Sequence, residues 1–280
     1  MAFPPPIPPT SPSCKGTKSV RRLVAMGLFL VAAVVGAPSV KGADGTIDNR
    51  RSGYNDMGQP IRAMQDDDMA NPANLWSEDG KTLWHQAAGT TGRSCADCHG
   101  DAATSMRGVA ARYPAFDKNK RRPVDLEQRI NLCRVTRQQA APLAFESHDL
   151  LALTVYVARQ SRGRPISIST GPALRPFLEK GRRLYFKRLG QLNLSCAECH
   201  DDNAGRSLGG STIPQAHPTG YPLYRLEWQS LGSLQRRLRN CMAGARATPY
   251  AYGAEASVDL ELYLMWRANG MLVETPAVRP

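Results

Sequence analysis

The first 42 residues hold no Asp or Glu, and nowhere does the 280-residue chain hold an apolar run long enough to cross a bilayer. The longest such run, Leu23 to Val35, is about 13 residues, against the ~20 that a spanning helix needs. Blocks of like charge are missing too. The formal net charge is +12, but five Lys or Arg fall within residues 1–42, so the remainder carries +7. A modestly basic body without charge runs suits small anions or an acidic protein partner and sets nucleic acid aside. Hydrophobic content of 42% and charged content of 21% are those of a soluble globular protein. The length allows two small domains of roughly 100–130 residues each.

The lopsided start has its own meaning. Arg21-Arg22, the apolar stretch and Val40-Lys41-Gly42 read as an export signal with a Pro-rich lead, spanning residues 1–42. An uncleaved anchor is the other reading of that stretch, and a twin-arginine signal fits the residues flanking Arg21-Arg22 poorly. The expectation is a periplasmic protein cleaved near Gly42, with no membrane span in the mature chain.

Seven cysteines stand at positions 14, 95, 98, 133, 196, 199 and 241. Cys14 leaves with the signal. In an exported protein the two singletons, Cys133 and Cys241, ordinarily suggest a disulfide. An internal repeat points elsewhere. With a shift of 101, Gly80, Leu83, Gly89, Ser94, Cys95, Ala96, Cys98 and His99 fall on Gly181, Leu184, Gly190, Ser195, Cys196, Ala197, Cys199 and His200. With a shift of 108, Tyr113-Pro114, Leu126, Arg129 and Cys133 fall on Tyr221-Pro222, Leu234, Arg237 and Cys241. The chain is a tandem duplication.

Each half repeats one plan. An opening helix (about 77–88 and 174–189) leads into CxxCH. A Pro/Gly-rich loop follows, then a helix with the singleton cysteine (about 125–139 and 231–243). A closing helix (about 148–160 and 256–268) has Leu150, Leu153 and Val157, or Leu260, Tyr263 and Leu264, at helical spacing, with Ser147 placed to cap the first copy. The expected fold is mainly α: two tandem cytochrome c-like domains, residues 43–165 and 173–280, joined by a linker from Gly163 through Pro172.

Cys95-Ala-Asp-Cys98-His99 and Cys196-Ala-Glu-Cys199-His200 carry the chemistry. Two thiols three residues apart can add to the two vinyl groups of one haem, and the next histidine then meets the iron. A redox CxxC followed by an unrelated His is one alternative and zinc another. Zinc pairs usually sit roughly 12–20 residues apart, and these are 101 apart. Two such motifs in a duplicated, exported chain favour two covalently bound haem c groups, with Cys95, Cys98, Cys196 and Cys199 as attachment points.

For the sixth iron ligand, Met106 is too close to His99, and Met265 and Met271 have no counterparts. The recurring positions are Cys133 and Cys241, 38 and 45 residues after the first Cys of their motifs. Thiolate binds ferric iron strongly and lowers its potential. The assignment is His99/Cys133 for one haem and His200/Cys241 for the other. A buried free cysteine or a Cys133–Cys241 disulfide competes with it. Met242 competes as a ligand too, though it faces away if Cys241 faces iron on a helix. His85, His148 and His217 do not recur and read as surface or structural residues.

Arg236, Arg237, Arg239 and Arg246 surround Cys241 in sequence, and Arg237 at i−4 shares its helix face. A fixed guanidinium lowers a thiol's pKa and suits a sulfur oxoacid held bidentately. A solvated basic face is the plainer reading, and Arg129 before Cys133 allows a structural role in both halves, such as pairing with a haem propionate.

The stretches Arg129-Ile-Asn-Leu-Cys133-Arg, Pro142-Leu-Ala-Phe-Glu-Ser, Leu150-Leu-Ala-Leu-Thr-Val-Tyr156-Val-Ala, Gln160-Ser-Arg-Gly163 and Leu234-Gln-Arg-Arg237-Leu-Arg-Asn-Cys241, with both CxxCH motifs, resemble the SoxA family over roughly residues 60–270. These are dihaem subunits of the SoxAX cytochromes of bacterial thiosulfate oxidation. The resemblance implies an L-cysteine S-thiosulfotransferase, with a monohaem SoxX-like partner in a heterodimer. It further implies thiosulfate and a SoxYZ-like carrier cysteine as substrates and a cytochrome c as electron acceptor. It gives Cys241 a catalytic persulfide role, makes Arg237 the substrate-binding residue, and sets the first haem apart from the chemistry. A thiosulfate dehydrogenase forming tetrathionate and a dihaem electron carrier without its own catalysis are the rival readings.

Overall fold

The computed structural model describes residues 48–280, so the expected export signal and Cys14 lie outside the described residues. The first half runs α1 (Gln59–Asp66), α2 (Ala73–His85), α3 (Cys95–His99), α4 (Ala102–Ser105), β1 (Ala115–Asp117), β2 (Arg122–Val124), α5 (Leu126–Cys133) and α6 (His148–Arg159). The second half runs α7 (Arg175–Phe186), α8 (Cys196–His200), β3 (Ser207–Leu208), β4 (Ser211–Thr212), β5 (Leu223–Arg225), β6 (Ser230–Gly232), α9 (Leu234–Gly244), α10 (Glu255–Arg267) and β7 (Ala277–Arg279). The expected order of opening helix, CxxCH, cysteine helix and closing helix is present twice.

The two CxxCH segments are five-residue helices, too short to persist without help. Reciprocal caps supply it. Ser94 Oγ accepts the Asp97 N–H at 3.1 Å while Asp97 accepts the Ser94 N–H at 2.7 Å. Ser195 and Glu198 repeat the arrangement at 3.2 and 2.8 Å. Each motif helix therefore begins on its first cysteine. The cysteine helices start under Asp125, which accepts the Gln128 N–H at 2.7 Å, and Ser233, which accepts the Arg236 N–H at 3.1 Å. The helix expected over 125–139 is interrupted: after Cys133 the chain passes into a π-helical turn, Arg134–Gln138. Its copy α9 stays α-helical through Cys241.

Glycine sets how closely the opening and closing helices cross. A Cβ on Gly80 of α2 would lie 2.0 Å from the Ala152 carbonyl oxygen of α6, and one on Gly181 of α7 2.0 Å from that of Asp259 in α10. The closing helices gain burial from this approach. Leu150, Leu153 and Val157 are buried as expected, but so are Leu151, Ala152, Thr154, Val155 and Ala158, so α6 is enclosed on nearly every side. Ser147 caps α6 through the Leu150 N–H.

The expected Pro/Gly-rich loops contain strands that the sequence reading did not anticipate. β1 and β2 form one antiparallel hairpin, with Asp117 opposite Arg122. β5 and β6 form its copy, with Arg225 opposite Ser230. The C-terminal β7 adds to β5 in parallel, so Arg279 also lies beside Arg225.

The halves share their interior. Ala111 of the first half packs with Leu178, Leu262 and Val273 of the second, and Ala73, Leu151 and Val155 pack with Leu231. The segment read as a linker is stitched into that core. Ile166 and Ile168 are buried, the Gly163 N–H donates to the Val273 carbonyl and the Ile166 N–H to that of Met271, both at 2.8 Å. Residues 49–280 accordingly form one compact unit. No helix among the described residues is long and apolar enough to cross a membrane.

Candidate active site

In the second half α8 brings Cys196, Cys199 and His200 to one cavity of about 440 Å³, and α9 brings Cys241 to the same space. Leu189, Leu194, Leu238 and Leu264 supply much of its apolar wall. His200 Nδ1 lies 2.7 Å from the Pro214 carbonyl oxygen. Donation from Nδ1–H to that oxygen leaves Nε2 as the basic ring nitrogen. The His200 ring lies close enough to the Cys241 thiol to favour its thiolate.

Charge distinguishes the three thiols. Burial pushes Cys196 up to about 11, and Cys199 is also raised, again chiefly by burial. Burial acts on Cys241 in the same direction, but His200, Arg237 and Arg225 together outweigh it and hold that thiol below its ordinary value. Cys241 is exposed and lines the cavity.

A second cavity, of about 340 Å³, also reaches His200, Arg237 and Cys241, and adds Tyr221, Arg225 and Arg279. An apolar space and an arginine-lined space therefore meet at one cysteine. The residues of the apolar space fit covalent haem: two thiols on one turn, a free imidazole nitrogen, a facing thiol biased toward thiolate, and leucine walls. Its volume lies in the range of cofactor sites.

The first half has a similar donor set. Cys133 lies close enough to Cys95 and Cys98 for each pairing to affect thiol ionisation, and burial raises both Cys95 and Cys133. The His99 ring is 5.7 Å from that of Trp84, whose Nε1–H donates to the Gly100 carbonyl at 3.0 Å. Cys133 and Cys241 belong to separate clusters and are both free thiols, so no disulfide joins them.

The arginine run divides by contact. Arg236 stacks on Trp228 at 4.3 Å and donates to Ser230 Oγ at 3.1 Å. Arg239 stacks on Tyr252 at 4.6 Å and bonds the Tyr250 carbonyl. Arg246 lies past the helix end at φ 54. Arg237 alone of the four lines both cavities with Cys241. Met242 departs from expectation. It lines the apolar cavity beside Cys241, because helix neighbours diverge by only about 100° and the cavity is broad enough to reach both.

His148 stacks on Trp76 at 4.3 Å and pairs with Asp79 at 3.1 Å, a surface role as expected. His217 lines the arginine cavity, with Nδ1 3.1 Å from the Arg51 carbonyl oxygen. Tyr221 and Arg225 were not singled out as site residues from sequence. Tyr221 was visible in the repeat, and the same shift of 108 places Arg225 on Asp117.

Two CxxCH helices, each held between an opening and a closing helix and each accompanied by a cysteine from a later helix, define a c-type cytochrome built by duplication. The chain belongs to the SoxA/TsdA cytochrome c domain family, whose model matches residues 79–166 and 180–273, one stretch in each half. It is 41% identical over 220 residues to the L-cysteine S-thiosulfotransferase subunit SoxA of Pseudaminobacter salicylatoxidans, covering 78% of this chain and 77% of that one. It is 34% identical over 249 residues to the subunit of the same name from Rhodovulum sulfidophilum, covering 89% and 87%. The crystal structure of SoxXA from P. pantotrophus superimposes with a TM-score of 0.80 at 32% identity, covering 82% of this chain and 87% of that chain.

Proposed function

We propose that this chain is the catalytic subunit of a periplasmic L-cysteine S-thiosulfotransferase, carrying two haem c groups and joining thiosulfate to a carrier-protein cysteine. Cys95, Cys98, Cys196 and Cys199 are the attachment points. His99 with Cys133, and His200 with Cys241, would hold the two irons. The observation that carries the reading is the meeting of Cys241, His200 and Arg237 where an apolar and a basic cavity join. The names of the relatives support it.

The net reaction joins the sulfane sulfur of thiosulfate to the sulfur of a SoxYZ-like carrier thiol. An S–S bond forms, the thiol loses its proton, and two electrons are released. Haem, when bound, would supply one-electron acceptance for this two-electron oxidation, with a cytochrome c as the final acceptor. Arg237 holds the sulfonate through paired N–H donors. The sulfur of Cys241, carried as a persulfide, mediates the new bond, and the surrounding positive charge keeps it anionic. A SoxX-like monohaem subunit completes a heterodimer, as the likeness to SoxXA supports.

The test is the mass of the peptide containing Cys241 from the holoprotein, together with product analysis with and without carrier. An additional sulfur on Cys241 and carrier-dependent thiosulfate consumption are expected. Tetrathionate formed from thiosulfate alone, or an unmodified Cys241 in active protein, overturns the reading.

A further inference from the structure

The two halves differ at one charge that bears on the anion cavity. In the first half Arg129 donates to Asp117 at 2.6 Å, and Tyr113 lies against the same guanidinium. The repeat carries Arg129 to Arg237, Tyr113 to Tyr221 and Asp117 to Arg225. Asp117 and Arg225 each end the first strand of their hairpins. Where the first half has an arginine–carboxylate pair, the second has two arginines.

Asp56 also lines the cavity, but its carboxylate pairs with Arg51 at 2.9 Å rather than with Arg225 or Arg237. Arg237 makes no salt bridge among the described residues. Arg279, the other cation of this cavity, is already engaged by Glu274 at 2.6 Å and by Gln65. Arg225 gives one donor to the exposed Glu227 at 2.9 Å and lies over Trp228 at 5.3 Å. Its Nε is buried without a hydrogen-bond partner. Like charges held together are unfavourable unless an anion lies between them, and a buried guanidinium donor left unpaired is costly.

We propose that Arg225 is a second substrate-binding residue, which with Arg237 clamps a doubly charged sulfur oxoanion beside Cys241 in place of the carboxylate that Asp117 supplies in the first half. One arginine would satisfy one face of the sulfonate; two on different elements fix its orientation and select a dianion over a monoanion. The inference rests on the thiosulfotransferase reading only for the identity of the anion, thiosulfate.

The test uses the holoprotein and three variants. Arg225→Asp rebuilds the first-half pair and turns Arg237 inward on a carboxylate. Arg225→Gln removes the charge alone, and Arg225→Lys keeps it. Sulfate, an unreactive dianion, is titrated by calorimetry, and thiosulfate KM is measured with carrier. The expectation is a loss of sulfate affinity and a rise in KM of about tenfold or more for the Asp and Gln variants, the magnitude of one charge-assisted contact. Arg225→Lys should retain most of both, with haem absorption unchanged throughout. Sulfate affinity and KM within twofold of wild type for Arg225→Gln overturn the proposal. So does a shifted haem potential with unchanged sulfate affinity, which would assign Arg225 to a haem propionate. If sulfate binding depends on Arg225 but no thiosulfate reaches the carrier, the anion site stands and the thiosulfotransferase reading falls.

Discussion

Asp117 and Arg225 occupy one position in the two copies of the repeat and carry opposite charges, so the same hairpin neutralises Arg129 and leaves Arg237 without a carboxylate. The duplication kept the scaffold and changed one sign. In the first half the arginine holds the hairpin to the cysteine helix; in the second its counterpart faces a cavity.

Removing Asp117 therefore affects stability rather than substrate. The Lys120 N–H and the Arg129 guanidinium both favour the ionised form and hold its carboxyl below the usual range. A lowered pKa contributes stability above the unfolded-state value, and this is lost as pH falls through the folded-state value. Asp117 is buried while its partner Arg129 is a third exposed, so solvent screens the pair in part and its contribution is about 1 kcal/mol. Asp117→Asn should lower urea stability by that amount at neutral pH and leave thiosulfate KM unchanged. The difference from wild type should shrink as pH falls below the usual carboxylate range and vanish once the folded-state carboxyl is itself protonated.

The junction between the halves predicts the opposite slope. Asp125 is pushed up to about 6, and Glu127 and Glu261 are raised well above the carboxylate range, each chiefly by burial. Raised carboxyls contribute stability that is fully present below the unfolded-state pKa and lost as pH rises through the folded-state value. Denaturation midpoints should therefore fall between roughly pH 4 and 7. Glu127→Gln or Glu261→Gln should flatten that fall, and an unchanged slope in both variants would rule out these carboxyls as its source.

Gly181→Ala tests the helix crossing that supports the second CxxCH. A methyl group there meets the Asp259 carbonyl oxygen and the Tyr263 Cβ. Separation of α7 and α10 should cost about 3 kcal/mol. Gly80→Ala should behave alike at the first-half crossing, and a melting temperature within a degree of wild type for both would contradict the packing account.

The cysteines should separate attachment from chemistry. Cys241→Ser is expected to retain haem on Cys196 and Cys199 while thiosulfate-dependent turnover falls by roughly a hundredfold or more. Cys133→Ser should alter the spectrum of the other haem and leave turnover near wild type. Haem staining and turnover with carrier measure the two effects, and equal loss in both variants would remove the functional asymmetry.

Much of this arrangement was legible in one dimension. CxxCH is contiguous, its capping residues lie within three positions, and Arg237 reaches Cys241 along a single helix face, so local geometry fixes those relationships. The duplication made Cys133 and Cys241 visible as equivalents. Three features were hidden. The strands were masked by Pro and Gly in short segments with little periodicity. Met242 was expected to face away, because helix spacing gives direction but not the breadth of the cavity. The segment 163–172, anchored by the buried Ile166 and Ile168, looked like a tether, since partners such as Met271 and Val273 lie about a hundred residues later.

The sequence by itself determined the repeated helical plan, the paired thiols and histidines, and the placement of an arginine one turn before each singleton cysteine, because each depends on neighbours along the chain. The tertiary structure decided which arginine is free to meet an anion. That choice depends on a strand from a separate hairpin and on whether it ends in Asp117 or Arg225. Charge at such a distance in sequence has no meaning until folding brings it within hydrogen-bond range of its partner.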